Sequence, residues 1–139
     1  VKKGGMMSES LKLKTTFRAT AKEVYEAWID SKLHSAMTGG AAEIDAKVGG
    51  KFTAWDGYIW GETMELEPFS RIVQLWRTGD FDEKDPFSRI EILLTETDEG
   101  TEFVLIHDNI PAGQMEDYLE GWDDYYLDPM HDYFSNRSK

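Results

Sequence analysis

The stretch AGQMEDYLEGWDDYYLDPMHDYF, residues 112–134, decides how the chain folds. Met115, Tyr118, Leu119, Trp122, Tyr126, Met130, Tyr133 and Phe134 recur at steps of three and four, which places them on one broad face of a long helix. Glu116, Asp117, Glu120, Asp123, Asp124 and Asp128 occupy the opposite face. So wide an aromatic stripe needs an apolar surface to lie on, because burying each large ring is worth roughly 1.5–3 kcal/mol. Asp128-Pro129 predicts a kink or a restart, since an interior proline removes a backbone hydrogen bond at a cost of about 3 kcal/mol. Gly121 costs about 1 kcal/mol relative to alanine in mid-helix, and predicts a close approach of the helix backbone to its neighbour beside Trp122.

The residues upstream supply the surface. Leu11, Leu13 and Thr15 alternate with Lys12, Lys14 and Thr16, the period of a half-buried strand that ends near Phe17. Thr20 and Glu23 form a capping box, opening a helix over about 21–29. A second short helix, capped by Asp30 or Ser31 and carrying Leu33, Ala36 and Met37, must stop at Gly39-Gly40. From Ala41 to Asn109 the chain reads as an antiparallel meander over 42–46, 51–55, 58–66, 72–78, 87–95 and 101–109. Its turns fall at Gly49-Gly50, Asp56-Gly57, Glu67-Pro68-Phe69-Ser70 and Asp98-Glu99-Gly100. Residues 79–86 are a polar loop. The prediction is an α+β fold in which a curved antiparallel sheet wraps around the C-terminal helix, with two short helices after the first strand.

Composition narrows the function. The 139 residues, 40% of them hydrophobic, suit one domain, placed at 9–135. The lead over 1–8 reads as a disordered or expression-derived terminus with no apolar signal segment, so a soluble cytoplasmic protein is expected. No cysteine is present, which excludes a thiolate nucleophile or cysteine metal site. A formal charge of -12 opposes nucleic-acid backbones and anionic membranes. Neither metal nor cofactor is expected. The three histidines have no ligand-like spacing, the acidic run Asp80 to Asp85 lacks the pattern of a calcium loop, and no phosphate-binding or dinucleotide motif occurs.

Phe17 to Tyr25, Val48-Gly49-Gly50-Lys51-Phe52, Asp56-Gly57 with Gly61, Leu66-Glu67-Pro68, Ile72-Val73, Trp76-Arg77, Gly100-Thr101-Glu102, Ile110-Pro111 and Gly121-Trp122 with Tyr125-Tyr126 occur in an ordered set over residues 10–134. That set resembles the family named after the activator of the ninety-kilodalton heat-shock chaperone's ATPase, matching its C-terminal domain within the START-like, or SRPBCC, helix-grip superfamily. The resemblance implies a helix-grip fold and three functions to weigh. The first is non-enzymatic binding of a small hydrophobic or aromatic ligand between sheet and helix. The second is interaction with a heat-shock chaperone through the acidic face, and the third is a cyclase- or hydrolase-like activity.

Trp60, Trp76, His107, Tyr118 and Trp122 are the candidate ligand-binding residues; no catalytic residue is nominated. Trp60 and Trp76 are read as sharing one face, and Trp76 and Trp122 as opposing walls of one aromatic slot. His107 continues the inward set Phe103 and Leu105. It is either a polar anchor for a ligand or a histidine satisfied at the rim by a tyrosine or carbonyl.

Overall fold

Phe17, Phe103 and Phe134 meet in the core, from the first strand, the last strand and the C-terminal helix, with ring centroids 5.3 Å and 5.5 Å from Phe17. The computed structural model that shows this describes residues 8–136, so the expected lead lies outside the described residues apart from Ser8. Strand β1 (Glu9–Phe17) turns Leu11 and Phe17 inward. Helix α1 (Ala21–Ile29) opens with both hydrogen bonds of the Thr20–Glu23 box, at 2.8 and 3.1 Å. In α2 (Ser31–Thr38) the cap is Asp30, which accepts from the Leu33 amide at 2.9 Å. Gly39 ends α2 at φ 89°, a left-handed conformation that suits glycine. The buried side chains of α2 are His34, Met37 and Thr38; Leu33 points outward instead.

The meander follows as β2 (Glu43–Ile44), β3 (Lys51–Ala54), β4 (Ile59–Glu67), β5 (Arg71–Thr78), β6 (Ser88–Thr97) and β7 (Gly100–Ile110). All strand pairs are antiparallel in one seven-stranded sheet of order β1-β7-β6-β5-β4-β3-β2, so α1 and α2 carry the chain from one edge to the other. Register shifts in β4 between Thr63 and Glu65, and in β1 between Glu9 and Leu11, are bulges of the sort that bend strands. Gly61 permits the tight crossing of β4 and β5, because a Cβ there would lie 1.8 Å from the Leu75 carbonyl oxygen.

The C-terminal run is α3 (Met115–Trp122), a π-helical turn (Asp123–Leu127) and α4 (Asp128–Asn136). The irregularity expected at Pro129 falls just ahead of it. Asp128 keeps right-handed helical angles and its N–H reaches the Asp123 carbonyl, five residues back. The wider turn shifts the helix phase by one residue, so that Tyr126 and Leu127 are both buried, and Pro129 follows directly after it. Leu119, expected in the stripe, is 36% exposed at its edge.

Candidate functional site

Between the helix, the end of β5 and the β3–β4 turn the core is open, leaving a cavity of about 600 Å³. Its floor is buried and apolar: Ile59 on β4, Trp76 on β5, and Trp122 and Tyr126 from the helix. Its mouth is polar, with Tyr58, Asp80, Gln114, Asp117 and Tyr125 at the rim. Trp55 completes the wall from an unusual backbone position. With Asp56 and Gly57 it has a positive φ, 51° for Trp55 itself, which is uncommon for a bulky side chain. The Trp55 ring lies over Gly40, where a Cβ would meet it at 2.5 Å, and meets Tyr125 edge-on at 5.5 Å.

Behind the floor lies His107, with no solvent exposure. Trp122 Nε1–H donates to its Nδ1 at 3.1 Å. An indole nitrogen can only donate, so Nδ1 is the acceptor and the proton sits on Nε2. Nε2–H then donates to Ser88 Oγ at 2.8 Å, and Ser88 donates to the Trp76 carbonyl at 2.6 Å. Burial pulls the imidazole down to about 3, so the ring is neutral. With both nitrogens engaged, His107 offers a ligand nothing; it positions Trp122.

At the mouth, Tyr118 donates to Gln114 Oε1 at 2.7 Å and accepts from Thr78 at 2.8 Å. Gln114 donates in turn to the Asp80 carbonyl at 3.1 Å, and Tyr58 donates to the Asp80 carboxylate. Burial pushes the phenols of Tyr118 and Tyr126 up, so both are neutral hydroxyls. A second buried relay runs below. Tyr126 donates to His34 Nε2 at 2.9 Å, His34 Nδ1–H donates to the Trp28 carbonyl at 2.8 Å, and Trp28 Nε1–H donates to Gln74 at 3.0 Å. Burial holds His34 down to about 4. Among the described residues no cluster of His, Asp or Glu is placed to hold a metal ion, and no helix is long and apolar enough to cross a membrane.

The sequence model of the family described as "Activator of Hsp90 ATPase homolog 1-like protein" matches residues 18–135. The chain belongs to that family. It is 32% identical over 122 residues to the human protein "Activator of 90 kDa heat shock protein ATPase homolog 1", covering 88% of this chain and 36% of that one. It is 29% identical over 133 residues to "Activator of 90 kDa heat shock protein ATPase homolog" of Dictyostelium discoideum, covering 95% and 34%. The chain thus spans about a third of the length of these curated relatives. A solved structure titled as an HSP90 activator from Plasmodium falciparum superposes with a TM-score of 0.83 at 27% identity, over 91% of this chain and 96% of that one. The seven-stranded antiparallel sheet with two short helices after β1 and a C-terminal helix is the architecture these structures share.

Within this family member, Trp76, Tyr118 and Trp122 lie on the cavity wall as placed above, while Trp60 does not. The β4–β5 register pairs Trp60 with Arg77 and Gly61 with Trp76, so the two tryptophans point to opposite faces. Equal parity in sequence does not carry across a hairpin; the turn sets the register. Trp60 instead lies over the Arg77 guanidinium, 5.7 Å away on the outer face. Nor do Trp76 and Trp122 form a slot. Their centroids are 5.3 Å apart, and a ring held between two others needs about 7 Å, so together they make one wall.

Gly121 marks no close backbone approach. A Cβ there would meet only the Tyr125 ring, at an ordinary 3.9 Å, and its missing side chain widens the cavity instead. Trp55, Tyr58, Asp80, Gln114, Asp117 and Tyr125 were outside the expected site. Only the Asp56-Gly57 turn signal pointed near Trp55; the others come from loops and helix edges that the periodicity does not place.

Proposed function

We propose that this chain is a non-enzymatic binding module that holds a small hydrophobic or aromatic molecule in the cavity between the sheet and the C-terminal helix. The observation that carries the reading is the space itself. About 600 Å³ remains open beside a floor of buried rings, within the ~300–1,000 Å³ usual for small-molecule sites. Trp76, Tyr118 and Trp122 are the proposed contact residues, with Trp55 added and Trp60 withdrawn. His107 enters only through Trp122. A cytoplasmic location goes with this reading, as does one domain over residues 9–135.

A second reading has support of its own. The relatives are named as activators of a heat-shock chaperone's ATPase, and the outer face of the C-terminal helix carries Glu116, Glu120, Asp123 and Asp124 in exposed positions, suited to a basic surface on such a partner. Cyclase or hydrolase chemistry has less support, since His107 is neutral and engaged, and burial holds the phenols of Tyr118 and Tyr126 neutral.

Native mass spectrometry of freshly purified protein, paired with tryptophan fluorescence against a panel of aromatic probes, tests the first reading. A retained or added small molecule that binds the parent, and binds Trp122→Phe more weakly, is the expected result. No retained molecule and fluorescence indifferent to every probe would leave the chaperone reading in its place.

A further inference from the structure

We infer that the cavity is built for an organic cation: an aromatic or apolar body carrying a protonated amine or quaternary ammonium group. This rests on the small-molecule reading above and narrows it to a chemical class. The first support is the charge of the wall. Asp80 and Asp117 stand at the mouth, and no lysine or arginine is among the described residues that line it. The second is the wall's hydrogen bonding. Tyr58, Tyr118, Trp122 and Tyr126 spend their donors inside the protein, on Asp80, Gln114, His107 and His34 in turn, while the Trp55 Nε1–H is a buried donor of the wall without a partner. The buried histidines behind the wall are neutral and contribute no positive charge.

The third support is the ring population. Cations are attracted to the faces of Trp and Tyr by the ring quadrupole, and the attraction strengthens when the site is shielded from water. Here Tyr58 and Tyr125 are exposed lining residues, Tyr58 bonded to the Asp80 carboxylate, Trp55 is half-buried, and Trp76 and Trp122 are buried. A cationic head at the mouth therefore meets carboxylate and ring faces together, while its apolar body reaches the floor. An anionic ligand of the same shape would face two carboxylates with no compensating base.

The test compares three probes on one skeleton by calorimetry: naphthylmethylammonium, naphthylmethanol and naphthoate. The cation is expected to bind about tenfold more tightly than the alcohol, with naphthoate weakest. Asp117→Asn, at an exposed position, should shrink the cation's advantage to about threefold or less, and Asp80→Asn gives a second reading of the same effect. Asp124→Asn removes one charge from the same helix away from the cavity and should leave the advantage intact, which separates a local site from the chain's general negative charge. If the alcohol or naphthoate binds as tightly as the cation, or if Asp124→Asn erodes the preference as much as Asp117→Asn, the cation assignment is wrong while the ligand reading stands. Should none of the three probes bind, both are wrong.

Discussion

Trp122 donates its indole N–H to Nδ1 of His107 across 3.1 Å, and that bond fixes both the tautomer of the histidine and the pose of one of the two indole rings on the cavity floor. Trp122→Phe keeps most of the packing but leaves Nδ1 buried without a donor, a loss expected to cost about 1–3 kcal/mol. Trp122→Ala should cost about 3–5 kcal/mol through the void it opens. Urea unfolding midpoints measure both. A Trp122→Phe protein as stable as the parent would mean that the bond contributes nothing.

Acid should destabilise the fold earlier than carboxylate titration alone would. His34 and His107 sit at about 4 and about 3 in the folded chain, below the usual 6.5, so the unfolded state binds their protons first. Their contribution is therefore fully present above pH ~6.5 and is lost as pH falls from there toward the folded values. At pH 5 each should have given up about 2 kcal/mol. Melting temperatures recorded between about pH 7 and pH 5 should fall steadily, and less steeply in His107→Gln. A flat profile over that range would show that the imidazoles are not held neutral.

Gly121→Ala separates stability from cavity space. Alanine removes the helix penalty of glycine, and the built Cβ meets only the Tyr125 ring at 3.9 Å, so a gain of about 0.5–1 kcal/mol is expected. The same methyl group narrows the cavity and should weaken binding of an aromatic probe. Thermal melts and probe titrations on one preparation give both numbers. Loss of stability would show that the backbone approach expected from sequence exists after all.

Arg77 ties the rim to the sheet. Its guanidinium donates to the Asp82 and Asp85 carbonyls at 2.9 Å each and lies 5.2–5.7 Å from the rings of Phe87, Phe81 and Trp60. Lysine has neither the planar stack nor the two-pronged reach. Arg77→Lys should therefore cost about 1–2 kcal/mol and speed amide hydrogen exchange in residues 79–87, which include Asp80 of the mouth. Unchanged exchange in that loop would show that Arg77 does not hold it.

Much of the architecture was legible because its signals are local. The Thr20–Glu23 box, the Asp56-Gly57 turn and the alternation of Phe103, Leu105 and His107 each act within a few residues, and each appears as read. What failed depended on relations between strands or on backbone geometry. Trp60 went to the wrong face because the pairing of β4 with β5 is set by the turn and not by residue parity. Leu127 was missed because a π-helical turn changes the helical period, which a fixed spacing of three and four cannot anticipate. Asp80 and Gln114 come together at 3.1 Å from segments far apart in sequence, and no local pattern announces such a contact.

The cavity as binding site is tested most directly by indole N–H resonances in a two-dimensional nitrogen–proton spectrum, followed while naphthylmethylammonium or naphthylmethanol is added. The rings of Trp55, Trp76 and Trp122 line the cavity, Trp28 lies beyond the Trp122 ring, and Trp60 is on the outer face. The expected result is saturable shifts of the Trp55, Trp76 and Trp122 signals with Trp60 unmoved. Shifts confined to Trp60, or none at any indole under saturating probe, would contradict the account.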